Sequence, residues 1–374
     1  MDKENKVSFS KNDSVAIKGI AICMLLCLHC FGATWRFEGY EVDFGPLGQD
    51  VFMALSGYCR ICVSIFAFIS GYGLYLSAKA KCEDGKSTNK WIVDRIFKTF
   101  SGYWFLYIAA VLVLLTGWSD YVVKQYFSHG IPDGVLYAFI DFMGWDKIFG
   151  TPSLNGSWWY MGAILVYILM MPLVAKWVKK FGFVSLIGLV VAVPRILTKH
   201  DFLGKGSIYS FMLIVLLGAF FAEKDLFTKF DRFQITKKKW LSQVLTFVIL
   251  AACVAANVVM WVAVPMEEVW EYHLGLVPIS VILFCYRYII NIPGLNKVLV
   301  FLGKHSMNIF LFHTLLRAVI MKDFIYGFKY PILIIAVLLL ISLVISILLE
   351  TVKKWLHYEV FVNRLKEKVI EYIA

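Results

Sequence analysis

The chain is divided into runs of about 20 apolar residues with scarcely a charge inside them, the length an α-helix needs to cross a hydrocarbon layer of about 30 Å. In that solvent every backbone N–H and C=O must be paired within the protein, so only helices or a closed barrel can span it. The runs are continuous rather than alternating, which selects helices. Composition agrees: of 374 residues, 60% are hydrophobic and 17% charged, and mean hydropathy is +0.72. A water-soluble domain of this size needs far more charged surface. A soluble globule, a disordered tail and a disulfide-stapled secreted scaffold are thereby excluded. The expected fold is an all-α, polytopic transmembrane helical bundle.

Ten candidate spans follow, at about 15–35, 59–78, 100–118, 156–177, 181–197, 207–222, 240–262, 273–290, 298–320 and 330–351. The stretch Gly134 to Gly150 is apolar but holds Asp141, Asp146 and Lys147, and is expected at the membrane interface as a re-entrant or surface helix. Orientation comes from Lys and Arg: one alternate set of segments carries 25 of them and the other nine. Both termini are therefore expected in the cytoplasm, which an even number of spans satisfies. Residues 1–14 form a cytoplasmic segment, 15–352 one transmembrane domain, and 353–374 a cytoplasmic helix that either lies on the leaflet or is solvated. The first apolar run reaches Trp35 and Arg36 without an A-x-A-like site, and reads as a retained helix.

The net charge of +11 does not mark a nucleic-acid binder, because the cations sit in short loops between apolar runs, where they meet anionic lipid. No metal site is expected. Cys23 and Cys27 point away from His29 on their helix, and Cys59 and Cys62 form a lone CxxC without a redox context.

Ionisable groups inside a span are costly and usually face an interior cavity. The first helix carries Lys18 and His29, eleven residues apart. At ~100° per residue they share one face, separated by about 16 Å along the axis. A cation at one mouth and an imidazole deep inside outline a channel for an elongated anionic ligand. The alternative is that Lys18 snorkels and His29 bonds a neighbouring helix. On the ninth span Ser306, His313 and Arg317 share a stripe, which packing alone would also explain. On the second, Ser70 and Gly71 permit close helix approach, and Tyr72 can hydrogen-bond inward. Arg95 and Lys98 share a face if the third helix starts early enough, and suit phosphate. The first loop, with Glu38, Tyr40 and Asp43, and the segment from Asn155 through Trp158 to Tyr160 are expected as interfacial aromatic belt, with sugar stacking as the other option.

Four segments resemble the acyltransferase-3 family of polytopic membrane acyltransferases. Ser14 to His29 is similar to its first-helix pattern of a basic residue, ten residues and His. Val63 to Tyr72 resembles its second helix, which ends in Ser-Gly-Tyr. Trp158 with Tyr167 and Pro172, and Leu302 to His313, resemble two later segments. Lys18 stands where Arg is commoner, and Arg95 with Lys98 replaces a frequent Arg-x-x-Arg, so charge is kept and the bidentate fork is lost.

The resemblance implies transfer of an acyl group, acetyl as the expected one, from cytoplasmic acyl-CoA to a hydroxyl of a cell-surface sugar or polysaccharide, at the plasma membrane and with no bound cofactor. It assigns His29 as general base, since an imidazole of pKa about 6.5 suits the task at neutral pH, with an acyl-His intermediate as the variant. Lys18, Arg95 and Lys98 would hold the acyl-CoA phosphates. Ser70, Tyr72, Asn155 and Trp158 would orient substrate or stabilise the oxyanion, and His313 would orient His29. The rival class is an exporter of a polysaccharide precursor, but the paired repeats common in transporters are not found. Stabilisation by acetyl-CoA and not by adenosine separates the two.

Overall fold

A computed structural model describes residues 9–192, 208–264 and 271–373, whose regular elements are all helices, with no strand among the described residues. In chain order the helices are α1 (Lys11–Phe31), α2 (Gly48–Tyr58), α3 (Ile61–Lys81), α4 (Gly85–Gly117), α5 (Ser119–Tyr126), α6 (Ile131–Phe142), α7 (Asp146–Phe149) and α8 (Trp159–Ile187). They continue as α9 (Met212–Glu223), α10 (Leu226–Arg232), α11 (Lys239–Ala263), α12 (Val277–Phe284), α13 (Leu295–Leu315), α14 (Lys322–Tyr326), α15 (Pro331–Trp355) and α16 (Tyr358–Ile373).

Among the described residues, eight helical stretches are long and apolar enough to cross a membrane. The ten expected spans differ from these in two places. Those at 156–177 and 181–197 share one stretch, Trp159–Val190, broken at Gly182, whose φ of 77° is open to glycine at little cost. The end of the second, 193–197, lies outside the described residues. The span expected at 207–222 is the shorter apolar helix Tyr209–Glu223. Helix α4 begins well before residue 100 because Asp84 and Ser87 close a capping box: Ser87 N donates to Asp84 Oδ1 at 2.7 Å and Asp84 N to Ser87 Oγ at 3.0 Å.

The chain divides into two compact units: Met1–Leu28, Asp50–Ser77 and Leu173–Lys304 make one, His29–Gln49, Ala78–Pro172 and His305–Ala374 the other. In the first, glycines let backbones touch. A Cβ on Gly303 would run into the Val15 carbonyl, and one on Gly19 into the carbonyl of Leu299. Gly71 meets the Val215 carbonyl, and Gly218 that of Phe68, in the same way. Small residues at such crossings give dispersion contact where lipid removes any hydrophobic drive. Phe9, Tyr72, Phe227 and Tyr286 form an aromatic cluster, with Phe9 stacked on Phe227 at 4.1 Å and Tyr72 edge-on to Phe9 at 5.1 Å.

In the second unit, α16 packs on α4 through Val362 and Ile370 against Val93 and Phe97, supported by Lys366–Asp94 at 3.3 Å and Tyr358 Oη donating to Ser101 O at 2.8 Å. Neither expectation for the tail, flat on the leaflet or solvated, included this docking onto a neighbouring helix. Phe361, Leu365 and Tyr372 remain exposed.

The segment expected as an interfacial helix forms α6 and α7. Helix α6 exposes Ile131, Val135, Leu136 and Phe139, but turns Asp141 fully inward. There the carboxylate accepts from Tyr126 Oη at 2.5 Å, Leu154 N at 2.7 Å and Ser153 Oγ at 3.0 Å. The aromatics of this region were also expected at the interface. Trp158, one of them, is among the most buried side chains.

Candidate active site

The last turn of α1 presents His29, half-buried, to α13. Its ring meets the ring of His313 edge to face, with centroids 4.7 Å apart and planes at 86°. His313 is fully buried. Its Nδ1 lies 3.0 Å from the carbonyl oxygen of Ile309 and 2.8 Å from that of Phe310. Carbonyls only accept, so Nδ1 carries a proton, and in the neutral ring Nε2 is the acceptor. Thr314 Oγ1 is 3.1 Å from that Nε2 and donates to it. With its proton so placed, Thr314 accepts from Ser157 Oγ at 2.7 Å. The neutral tautomer of His313 is therefore fixed by a directional chain running from the loop before α8.

That loop is anchored at both ends. Asn155 Nδ2 and Trp158 Nε1 both donate to Leu311 O on α13, at 3.0 and 2.8 Å. Asn155 Oδ1 accepts from Ser157 N at 3.0 Å. The Asn155 amide thus ties the loop to α13 through Nδ2 and braces the loop itself through Oδ1. Asp141 holds the other end through Ser153 and Leu154, and Tyr121 Oη donates to Leu154 O at 2.9 Å. Burial pushes the Asp141 carboxyl up to about 6, although the Tyr126, Leu154 and Ser153 donors pull it down.

Beyond His313, α13 runs into a π-helical turn, Leu316–Ile320, which carries Arg317. Arg317, expected on the stripe with His313, is buried inside the helix. Its Nη1 donates to Tyr326 Oη at 3.3 Å, and Tyr326 Oη donates to Cys30 O, next to His29, at 3.1 Å.

The other expected site residues fall into two groups. Arg95 and Lys98 lie in the same unit as the His pair and on α4, as the early helix start requires. Arg95 stacks over Trp91 at 5.7 Å. Lys98 is exposed and lines a cavity of about 280 Å³ with Asp94, Tyr358, Asn363 and Lys366. Lys18, Ser70 and Tyr72 belong to the other unit, where Lys18 and Ser70 are half-buried and Tyr72 is buried in its aromatic cluster. Ser306 is buried, while His305 Nδ1 and Asn308 Nδ2 are 2.8 and 3.0 Å from Ser346 Oγ on α15. Sequence reasoning missed Ser157, Thr314 and the inward Asp141. Thr314 had a signal, a hydroxyl beside a histidine inside a span. Among the described residues, no group of His, Cys, Asp and Glu is arranged to hold a metal, and no cysteine is in a disulfide.

No curated protein and no solved structure matches the chain. A family described as an acyltransferase domain matches residues 15–351, nearly the whole chain, including α1 with His29 and α13 with His313. The protein therefore belongs to the acyltransferase-3 family of membrane acyltransferases.

Proposed function

We propose that the protein moves an acyl group, acetyl as the expected one, from cytoplasmic acyl-CoA to a hydroxyl of a cell-surface sugar or polysaccharide. It does so in a ten-span bundle of the plasma membrane with both termini in the cytoplasm. The observation that carries this reading is the pair of imidazoles, His29 half-buried and His313 buried against it with its tautomer fixed.

In this reading His29 takes the proton of the acceptor hydroxyl as that oxygen attacks the thioester carbonyl. The C–O bond forms, the tetrahedral intermediate collapses, and the C–S bond breaks. The departing CoA thiolate then recovers the proton from His29. His313 is a positioning residue that fixes the ring of His29. Lys18, Arg95 and Lys98 are assigned the anionic end of acyl-CoA, and the cavity lined by Lys98 supports the part given to that residue. Ser70 and Tyr72 orient substrate. Asn155 and Trp158 act through Leu311, by keeping α13 in place.

Membranes containing the wild-type protein and given labelled acetyl-CoA should transfer label to an envelope polymer, and His29→Ala membranes should not. Transfer at the wild-type level by His29→Ala would overturn the assignment. Mass spectrometry of the polymer from cells with and without the protein identifies the acyl group and its acceptor.

A further inference from the structure

Arg317 is 3% exposed, yet among the described residues its guanidinium makes one hydrogen bond, to Tyr326 Oη, and its Nε is buried without a partner. A guanidinium has five N–H donors and stays charged. Burying it without a counter-ion costs far more than one neutral hydrogen bond returns. Tyr326 does not supply the missing charge. Its hydroxyl donates to Cys30 O, and burial pushes it up to about 12, so it meets Arg317 as a neutral phenol.

Nor, among the described residues, does a carboxylate of the same unit supply it. Asp323 accepts from Tyr40 Oη, Glu41 pairs with Lys329, Glu350 with Lys353, and Asp141 lies within its own network. Cations gather there instead: Arg36 acts on both Tyr326 and His313, and Lys322 stands over the ring of Tyr40, which stacks on Tyr326. An ionisable residue within a span and lacking a partner is expected to face a ligand or a path. The planar fork of arginine matches a carboxylate or phosphate.

We propose that Arg317 binds an anionic group, carboxylate or phosphate, on the sugar that accepts the acyl group. Arg317 follows His313 by four residues, and through Tyr326 it is joined to Cys30, the residue after His29. An anionic sugar held there presents a ring hydroxyl toward the His pair. This inference rests on the acyltransferase reading and narrows its acceptor to charged glycans. Arg317 is then a specificity-determining residue, and the buried charge is stabilised when acceptor is bound.

The test measures binding to the full-length protein in lipid nanodiscs, without acyl donor, using glucuronate, glucose 1-phosphate and glucose as probes. The wild type should bind one of the anionic sugars about tenfold or more tighter than glucose, a preference of the size one charge-assisted pair confers. Whichever is preferred separates a carboxylate from a phosphate acceptor. Arg317→Met should abolish the preference. Arg317→Lys keeps the charge without the fork, so it should reduce the preference severalfold, and it serves where Arg317→Met does not fold. Equal binding of all three sugars, binding of none, or an anion preference unchanged in Arg317→Lys would overturn the proposal. Because no acyl donor is present, such a result leaves the His29 assignment standing. Conversely, loss of transfer chemistry would leave the anion preference intact.

Discussion

Ser157 and Thr314 stand hydroxyl to hydroxyl at 2.7 Å, joining the loop before α8 to the residue that donates to His313 Nε2. The chain fixes a tautomer and moves no substrate atom, so its loss should act on turnover and leave substrate binding alone. Thr314→Val keeps the shape and removes the donor. We expect a fall in kcat of about tenfold with KM nearly constant, measured as acetyl transfer in membranes. Ser157→Ala should follow in the same direction with a smaller effect. A rise in KM at constant kcat would assign these hydroxyls to substrate binding instead.

If the two imidazoles act as one device, their losses will not add. His29→Ala should lower transfer by about a hundredfold or more, and His313→Ala by less. The double variant should be no worse than His29→Ala, since the effects of residues acting as a unit are non-additive. Multiplied losses would mean that His313 works independently of His29.

Asp141 gives a pH dependence with a definite sign. Its carboxyl is raised from 3.8 to about 6 by burial, so the folded protein binds this proton more tightly than the unfolded chain. Its contribution to stability is then fully present below about pH 4, declines as pH rises through 6, and is lost above that. The two-unit shift sets the scale at about 3 kcal/mol. Thermal unfolding of the purified protein between pH 4 and 7 should show this decline, and Asp141→Asn should remove it. Asp141→Asn should also lower Tm at neutral pH, because an NH2 replaces an oxygen that accepts N–H and O–H donors.

Two glycines on α3 make a matched pair. A Cβ at Gly71 would collide with the backbone of Val215, whereas one at Gly73 meets nothing within 4 Å. Gly71→Ala should destabilise by about 1–3 kcal/mol through overpacking. Gly73→Ala should be neutral or slightly stabilising, as alanine favours helix over glycine. Tm in detergent reads both, and equal shifts would remove the close-approach account.

Lys18 keeps the charge but not the fork of the commoner Arg, so charge should suffice for its assigned role toward the donor. Lys18→Arg should keep affinity for acyl-CoA, and Lys18→Ala should weaken it about tenfold, roughly one lost charge-assisted contact. Equal affinity in the two variants would argue against the role.

The helical class was legible from the 20-residue apolar runs, because the bilayer leaves a chain few alternatives. The pairing of His29 with His313 was legible only in part. Each was marked by being polar inside a span, but their contact depends on α1 and α13 coming together, which no local pattern records. Trp158 and Asp141 were misread for a shared reason. Trp158 heads an apolar run and Asp141 interrupts one, where belt residues and interfacial charges belong; Trp158 packs on Tyr103 and Tyr107, and Asp141 accepts from Tyr126 and Leu154, contacts that no local pattern records. The break near Gly182 was legible, because Lys176, Lys179 and Lys180 separate the expected spans 156–177 and 181–197, but the positive φ that makes it leaves no apolar signature.

The widened turn at Leu316–Ile320 has one more consequence. A π-turn holds an extra residue relative to regular α-helix. Deleting a single residue between Thr314 and Arg317 would let the segment relax to ordinary pitch and swing the guanidinium by about 100° around the axis. Hydropathy and length would hardly register the loss. Any chain otherwise like this one but a residue shorter at that point should therefore retain the paired imidazoles and accept uncharged glycans.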